Sequence, residues 1–275
     1  MGKRPTFPFY VISIDIGGTK LGGAVLRYND AQHQPEIVFQ DKVPAEAKKG
    51  VDVLASNIIG LAKSLKAEAE KVDSSVTIVA IGMGSAGRIN KDSGTVMTAT
   101  DNFPGFVGYE LTSEVSRAID TPAFALNDVQ AHTLGEFRWG AGQNSKNFIL
   151  LAVGTGIGGA VVSNGQLMMG SHGYAGELGH VQVSLGHDVP CTCGKAGHLE
   201  AVASGSGIER SYATLTGNKL SGPEISKLAN EGDKDAVAVV EKAGRCLGRI
   251  IAMYLSIFDP EKIVLGGSVT RSGAV

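Results

Sequence analysis

Cysteine, tryptophan and charge of one sign are all scarce in this 275-residue sequence. It has three cysteines, one tryptophan and 6% aromatic residues. Cys191, Cys193 and Cys246 cannot all pair, and two of them stand one residue apart, poor geometry for a disulfide with each other. A disulfide-stapled secreted domain is therefore excluded, and a cytoplasmic protein with reduced thiols, two of them open to a metal, is expected. No apolar run approaches the roughly 18 residues of a membrane span. The first residues carry Lys3 and Arg4, but Asp15 interrupts the apolar stretch and no small-residue cleavage site follows, so no signal peptide is expected. Lys and Arg number 25 against 27 Asp and Glu, a net charge of −2. That balance leaves no electrostatic footprint for nucleic acid.

Glycine is plentiful instead, with 38 residues, roughly twice the usual share, and no collagen period. Such glycine marks tight turns and places where backbone approaches a ligand. Hydrophobic residues at 43% and charged residues at 19% fit a globular protein with room for a core.

Along the chain, residues 10–16 read as a buried strand, followed by Gly17-Gly18-Thr19-Lys20 and a second apolar run over 22–26. Leu54, Ile58, Leu61 and Leu65 recur at helical spacing within 51–72. Residues 76–81 read as a strand that gives way to a glycine-rich stretch over 82–87. A helix is expected over 110–119, a strand over 123–126 and a helix over 128–137. Residues 148–153 form another buried strand, which meets Gly154-Thr155-Gly156-Ile157-Gly158-Gly159 and continues through 160–162. Residues 165–200 read as loop. Helices follow over 200–215, 221–230 and 236–257, and a last strand over 263–265 ends at Gly266-Gly267. The class is α/β.

Residues 18–25 and 154–161 repeat at a constant offset of 136, with six of eight positions identical. That period is domain-sized and too long for a solenoid. It predicts two similar α/β halves, residues 1–123 and 124–275, each presenting a glycine hairpin. Two such hairpins facing one cleft suit a polyphosphate, because glycine lets backbone N–H groups close on phosphate oxygens and Thr19 and Thr155 add hydroxyls. Singly, each reads equally well as an ordinary turn. Gly154, Gly156 and Gly159 satisfy GxGxxG, but a strand rather than a helix follows them, which excludes the dinucleotide reading.

With these motifs the sequence resembles the sugar kinases of the ROK family (repressors, open reading frames, kinases), over nearly its whole length. The resemblance implies the two-domain actin-like ATPase (ribonuclease H-like) fold of the hexokinase–actin–Hsp70 superfamily. Asp15, Gly17, Gly18, Thr19 and Lys20 look like its first phosphate motif, and Gly154, Thr155, Gly156, Gly158 and Gly159 like its second. Ile263-Val264-Leu265-Gly266-Gly267 looks like its adenosine-side motif. The most specific match is Gly176-Glu177-Leu178-Gly179-His180, Cys191-Thr192-Cys193-Gly194 and Glu200.

The resemblance assigns roles to these positions. Asn127-Asp128 follows a strand, and from spacing alone Asp128 reads as a helix N-cap or as a carboxylate in a cleft. In the family the matching Asp is the catalytic base, which would accept the proton of a sugar hydroxyl as it attacks the γ-phosphate of ATP. Asn127 would hold a neighbouring hydroxyl, and Asp15 would bind Mg²⁺. Glu177, His180 and Glu200 match sugar contacts, and carboxylates suit a polyol because each accepts several hydrogen bonds. Read alone, they are surface charges on a loop. Gly87, Arg88, Thr100, Asp101 and Asn102 sit where family members line the sugar pocket. The stretch Asn102-Phe103-Pro104-Gly105 looks glucokinase-like, whereas Gly87-Arg88 with Thr100 looks like N-acetylmannosamine kinases. Both types phosphorylate O6.

His180, Cys191, Cys193 and His198 offer two thiolates and two imidazoles, a closed tetrahedral set for structural Zn²⁺. Without a metal they are a loop with two free thiols. The family pattern is one His and three Cys, and His198 stands where the third Cys is usual. His187 is a further possible ligand. Cys246 reads as a small buried apolar residue. The chain stops at Val275, whereas family members usually continue for another strand and helix. A homodimer is implied. Two other readings share the fold: a sugar-sensing transcriptional regulator and an actin-like filament ATPase. The first strand begins near Tyr10, which leaves no helix-turn-helix ahead of it, and the filament reading has no use for the His–Cys set.

Overall fold

The computed structural model describes residues 5–72, 76–183 and 188–271. His187 lies outside them. The chain divides into two compact units, residues 1–132 with 169–174, and residues 133–168 with 175–275.

The first unit is built from β1 (Phe9–Ile16), β2 (Lys20–Tyr28), β3 (Glu36–Pro44), α1 (Val51–Val72), β4 (Ile78–Ser85), β5 (Arg88–Ile89), β6 (Val96–Thr98), α2 (Leu111–Ile119), β7 (Ala123–Asn127) and the first turn of α3 (Asp128–Trp139). Its sheet runs β3-β2-β1-β4-β7. β1, β4 and β7 are parallel, while β2 and β3 are antiparallel additions. The alternation of β1 buries Tyr10, Ile12, Ile14 and Ile16, the period-two pattern of a strand with one packed face. Onto β2 and β3 packs α1 through Leu54, Ile58, Leu61 and Leu65.

The second unit contains the rest of α3, then β8 (Phe148–Val153), β9 (Ile157–Ser163), β10 (Gln166–Leu167), α4 (Leu199–Ala203), α5 (Gly205–Thr216), α6 (Gly222–Asn230), α7 (Lys234–Phe258) and β11 (Lys262–Gly266). Its sheet runs β10-β9-β8-β11, with β8 and β11 parallel and the other pairs antiparallel. β8 is almost wholly buried, which explains its continuous apolar run. Along α7, Ala236, Val239, Ala243, Cys246, Ile250 and Tyr254 form the buried stripe, so Cys246 takes the expected place of a small core residue.

The two sheets share the arrangement antiparallel ribbon, central strand, parallel strand. The hairpins differ by one residue: Ile16 pairs with Leu21, whereas Val153 pairs with Ile157. Hence the 136-residue offset holds for the second strands and slips in the first. Gly23 and Gly159, equivalent in the repeat, share a packing role. A Cβ on Gly23 would come 2.6 Å from Leu65 Cδ1, and one on Gly159 would come 2.7 Å from Leu178 Cβ. Each glycine admits a leucine from the element packed on its sheet. Gly23→Ala is expected to destabilise the first unit by about 1–3 kcal/mol through overpacking. Chemical denaturation would read this as a lower midpoint at unchanged slope.

Four sequence expectations need correction in detail. β3 was not anticipated, because an edge strand carrying Asp41 and Lys42 lacks a clean alternation. β4 continues through Gly82 and Gly84 to Ser85 rather than ending at residue 81; pairing on both sides overrides the weak strand preference of glycine. The single helix expected over 200–215 is two, α4 and α5. Ser204 between them is extended, and its side chain caps α5 by accepting the Gly207 N–H at 3.0 Å. The units divide at His132/Thr133 inside α3 rather than at residue 123, because β7 pairs in register with β4. Among the described residues no helix is long and apolar enough to cross a membrane.

Candidate functional site

The C-terminal ends of β1, β4 and β7 come level, with Ile16 beside Ser85 and Ser85 beside Asn127. Strand ends of this kind leave the next residues unpaired and open to ligands. Asp15 stands on β1 one residue before its end. It pairs with Gly22, which pairs with Lys42 on β3. Asp15 and Lys42 therefore share a face across a residue with no side chain. Burial raises the Asp15 carboxyl, and the Lys42 charge pulls it back.

Asn127 makes capping contacts that spacing alone offered to Asp128. Its Oδ1 accepts from the N–H groups of Val129 (3.0 Å) and Gln130 (3.3 Å), and its Nδ2 donates to the Gly87 carbonyl at 2.9 Å. Asn127 is thus the helix cap. Its amide also hydrogen-bonds the Asp128 carboxylate and lowers it. Asp128 Oδ1 accepts the Val129 N–H at 2.9 Å, and the carboxylate still reaches solvent. Burial raises its carboxyl above the ordinary range, the Val129 N–H lowers it, and the negative charge of Asp15 raises it further.

The same unit holds the first glycine turn with Gly87, Arg88, Thr100 and Asn102. Gly87 has φ +85°, and a Cβ there would meet the Thr98 carbonyl oxygen at 2.0 Å, so the turn demands glycine. Gly18 packs beside Asn102 and the Phe103 ring, where a Cβ would come within 3.6 and 3.7 Å. Gly17 N–H closes the first turn on the Lys20 carbonyl (3.1 Å), and the Thr19 carbonyl accepts from Ala45 (2.9 Å). Thr100 is exposed, and its carbonyl accepts the Phe103 N–H at 2.9 Å. Arg88 lies 3.4 Å over the Tyr174 ring and donates to the His172 carbonyl at 3.4 Å. Sequence reasoning missed that partnership, because 84 residues separate Arg88 from His172.

In the second unit, the turn at residues 154–156 closes by Gly154 N–H on the Gly156 carbonyl at 2.9 Å. The start of α5 holds it: Gly205 N–H donates to the Gly154 carbonyl (2.8 Å) and Ser206 N–H to the Thr155 carbonyl (3.3 Å). In a trans peptide the C=O and the next N–H point opposite ways. The N–H groups of Thr155 and Gly156 are therefore directed away from α5, as donors to an anion must be. Gly158 pairs with Ala152 within the ladder. Gly266 ends β11, and Gly267, at φ +98°, lies so close to the end of β8 that a Cβ would meet the Val153 carbonyl oxygen at 2.2 Å. The second and third glycine motifs thus meet at one end of this sheet.

Next to that turn sits a cluster of His180, Cys191, Cys193 and His198, whose ligand atoms all lie within 4.8 Å of one another. His180 Nδ1 is 3.6 Å from Cys191 Sγ, and His198 Nδ1 is 3.2 Å from Cys193 Sγ. Tetrahedral zinc ligands stand roughly 3.3–3.8 Å apart, given bonds of about 2.0–2.3 Å. The set fits that metal in donor type and number, and its two His–Cys pairs fit in spacing. Burial pushes the Cys191 thiol up to about 11, and burial with the neighbouring His180 holds His198 below the ordinary imidazole value. Neutral imidazole is the ligand form, and a bound thiol gives up its proton.

Glu177 is exposed and lies 3.8 Å from His180 Nε2, so His180 turns Nδ1 to the cysteines and Nε2 to the carboxylate. His180 ends a short 3-10 turn, Leu178–His180, which Glu177 precedes and which packs on β9. Tyr254 Oη holds it by donating to the Leu178 carbonyl at 2.5 Å. Gly159→Ala would displace Leu178 and this turn with it. The expected result is a stability loss of about 1–3 kcal/mol, read as a lower denaturation midpoint. Glu200 accepts from Ile157 N–H (3.0 Å), the Thr192 hydroxyl (2.6 Å) and the Cys191 thiol (3.5 Å). Spacing gave no signal for the part played by Thr192.

The family model described as ROK family matches residues 11–275. A glucokinase of Halalkalibacterium halodurans is 33% identical, over 96% of this chain and 82% of that protein. An N-acetylmannosamine kinase of Escherichia fergusonii is 31% identical, over 94% of this chain and 82% of that protein. Among solved structures, a ROK hexokinase from Thermus thermophilus superposes with a TM-score of 0.83 at 31% identity, covering 97% of this chain and 84% of its own. A ROK family transcriptional regulator superposes with a TM-score of 0.80 at 26% identity, covering 97% of this chain and 67% of its own. The fold is the actin-like ATPase fold expected from the sequence.

Proposed function

Because the chain belongs to the ROK family, we propose that it is an ATP-dependent sugar kinase that phosphorylates O6 of a hexose or N-acyl-hexosamine, with Asp128 as general base. One observation carries this reading: Asn127 takes over the capping of α3, which leaves the Asp128 carboxylate at the strand ends with its proton affinity raised. A base with raised affinity takes a hydroxyl proton more readily than an ordinary aspartate. The sugar O6–H gives its proton to Asp128 as O6 bonds to the γ-phosphorus. The bond from that phosphorus to the bridging oxygen of ADP breaks, and ADP leaves. Asp15 would hold Mg²⁺, directly or through water, and the ion would neutralise charge on the phosphates. The two glycine turns, with Gly266 and Gly267, would hold the nucleotide.

Glu177, His180 and Glu200, with Asn127, Arg88, Thr100, Asn102 and the Gly87 turn, would set the sugar. Glu200 can take a sugar hydroxyl once Cys191 is a metal-bound thiolate, because the thiol then no longer donates to it. His180, Cys191, Cys193 and His198 would hold structural Zn²⁺, which fixes their loop. Glucose and N-acetylmannosamine are the proposed substrates; contacts to the C2 substituent would separate them.

ADP release measured with Mg-ATP and a panel of glucose, mannose, fructose, N-acetylglucosamine and N-acetylmannosamine tests the reading. Turnover on glucose or N-acetylmannosamine is expected. Sugar binding by calorimetry without turnover on any of the five would favour a sugar sensor instead. A homodimer belongs to the same reading, and light scattering at a single-chain mass would contradict it.

A further inference from the structure

Thr192 and Glu200 connect two places that the proposed function treats separately, the metal cluster and the second glycine turn. Thr192 lies between two of the four clustered residues, Cys191 and Cys193. Its hydroxyl donates to Glu200 Oε1 at 2.6 Å. The other oxygen of that carboxylate, Oε2, accepts the backbone N–H of Ile157 at 3.0 Å. Ile157 is the first residue of β9, directly after the turn. Gly156 makes the approach possible, since a Cβ there would lie 2.5 Å from Glu200 Oε2. The loop is tight on its own account: Cys191 N–H donates to the Lys195 carbonyl (2.7 Å) and Gly194 N–H to the Cys191 carbonyl (3.1 Å).

We infer that Thr192 is a positioning residue that couples occupancy of the metal cluster to nucleotide binding at residues 154–159, through the Glu200 carboxylate. Ligation of both its neighbours fixes the Thr192 backbone and aims its hydroxyl. The hydroxyl orients the carboxylate, and the carboxylate pins the Ile157 amide at the edge of the turn. A carboxylate held by a hydroxyl and an amide at once makes two charge-assisted bonds, which are stronger and more directional than neutral ones. Such coupling is reciprocal: metal favours nucleotide, and nucleotide favours metal. The nucleotide part rests on the proposed kinase reading, whereas the link from metal to turn does not.

The test uses the full chain with one zinc per molecule, the same chain stripped with a chelator, Thr192→Val and Thr192→Ser. Hydrogen exchange over residues 154–159 reports the turn, and calorimetry with Mg-AMPPNP reports the nucleotide. Stripping zinc and Thr192→Val are each expected to speed exchange there and to raise the AMPPNP Kd about tenfold. Stripping zinc from Thr192→Val should add little, and Thr192→Ser should behave as the original chain. Zinc content is measured for every variant. If Thr192→Val loses its metal, the comparison of loaded and stripped original chain decides. Equal exchange and equal Kd in loaded, stripped and Thr192→Val protein would overturn the inference. Faster exchange on stripping, in a chain that binds no AMPPNP at all, would support the link while contradicting the kinase reading.

Discussion

Asp128→Asn is expected to lower kcat by about 10²–10⁴-fold, the usual worth of a positioned general base. Sugar affinity should change little, because the amide keeps the shape and one acceptor oxygen. The same substitution should raise thermal stability at neutral pH. Burial raises the Asp128 carboxyl in the folded protein above its unfolded value. Its favourable contribution is therefore present below the unfolded value and is lost as pH rises through the folded one. Asparagine removes that cost, so an inactive variant that unfolds at a higher temperature is the predicted pair of results. An active variant would show that Asp128 is not the base, and one that unfolds earlier would show that the carboxylate serves the fold. In the original chain, kcat/KM should rise through an acid limb set by Asp128, above the roughly 3.9 of an ordinary aspartate.

Removal of the metal should produce the second large effect. With free zinc about 1,000-fold above its Kd, binding contributes about 4 kcal/mol of stability. At about 2–4 °C per kcal/mol for a unit of this size, unfolding of the second unit should begin roughly 8–16 °C lower after chelation. Cys193→Ala should reproduce the shift, because it removes one of the four clustered donors. Unfolding of the first unit, which holds none of the four ligands, should stay where it is. Calorimetry before and after chelation checks this. Coincident transitions that do not move would mean that the four residues hold no structural metal.

Much of this fold could be read from pattern. The bounds of α1 emerged from leucine spacing, and β8 from an unbroken apolar run, because in both cases burial alone dictates residue type. β3 escaped notice because its stability comes from pairing with β2, which leaves little trace in its own composition. The break at Ser204 escaped for a related reason: the apolar spacing runs on, and one serine side chain closing on Gly207 ends the helix.

The site was legible in the same uneven way. His180, Cys191, Cys193 and His198 announce themselves, since thiols and imidazoles at such spacing have few other uses, and the structure gathers them. Gly159 belongs to a motif that suits phosphate, yet it and Gly23 make room for leucines, and Gly179 lets the 3-10 turn rest against the Ile157 carbonyl. Backbone clearance and ligand clearance call for the same residue, so sequence alone could not separate them. Lys42 opposite Asp15, Tyr174 under Arg88 and Thr192 on Glu200 are ordinary residues made relevant by strand register or chain return, and no local motif marks them.

The most direct measurement is a single-turnover reaction of [γ-³²P]ATP with enzyme in excess, zinc-loaded, with glucose and with N-acetylmannosamine. Label is expected on the 6-phosphate of at least one sugar in the original chain, and retained on ATP in Asp128→Asn. Label released only as inorganic phosphate, or retained on ATP in both proteins while sugar and nucleotide are bound, would contradict it.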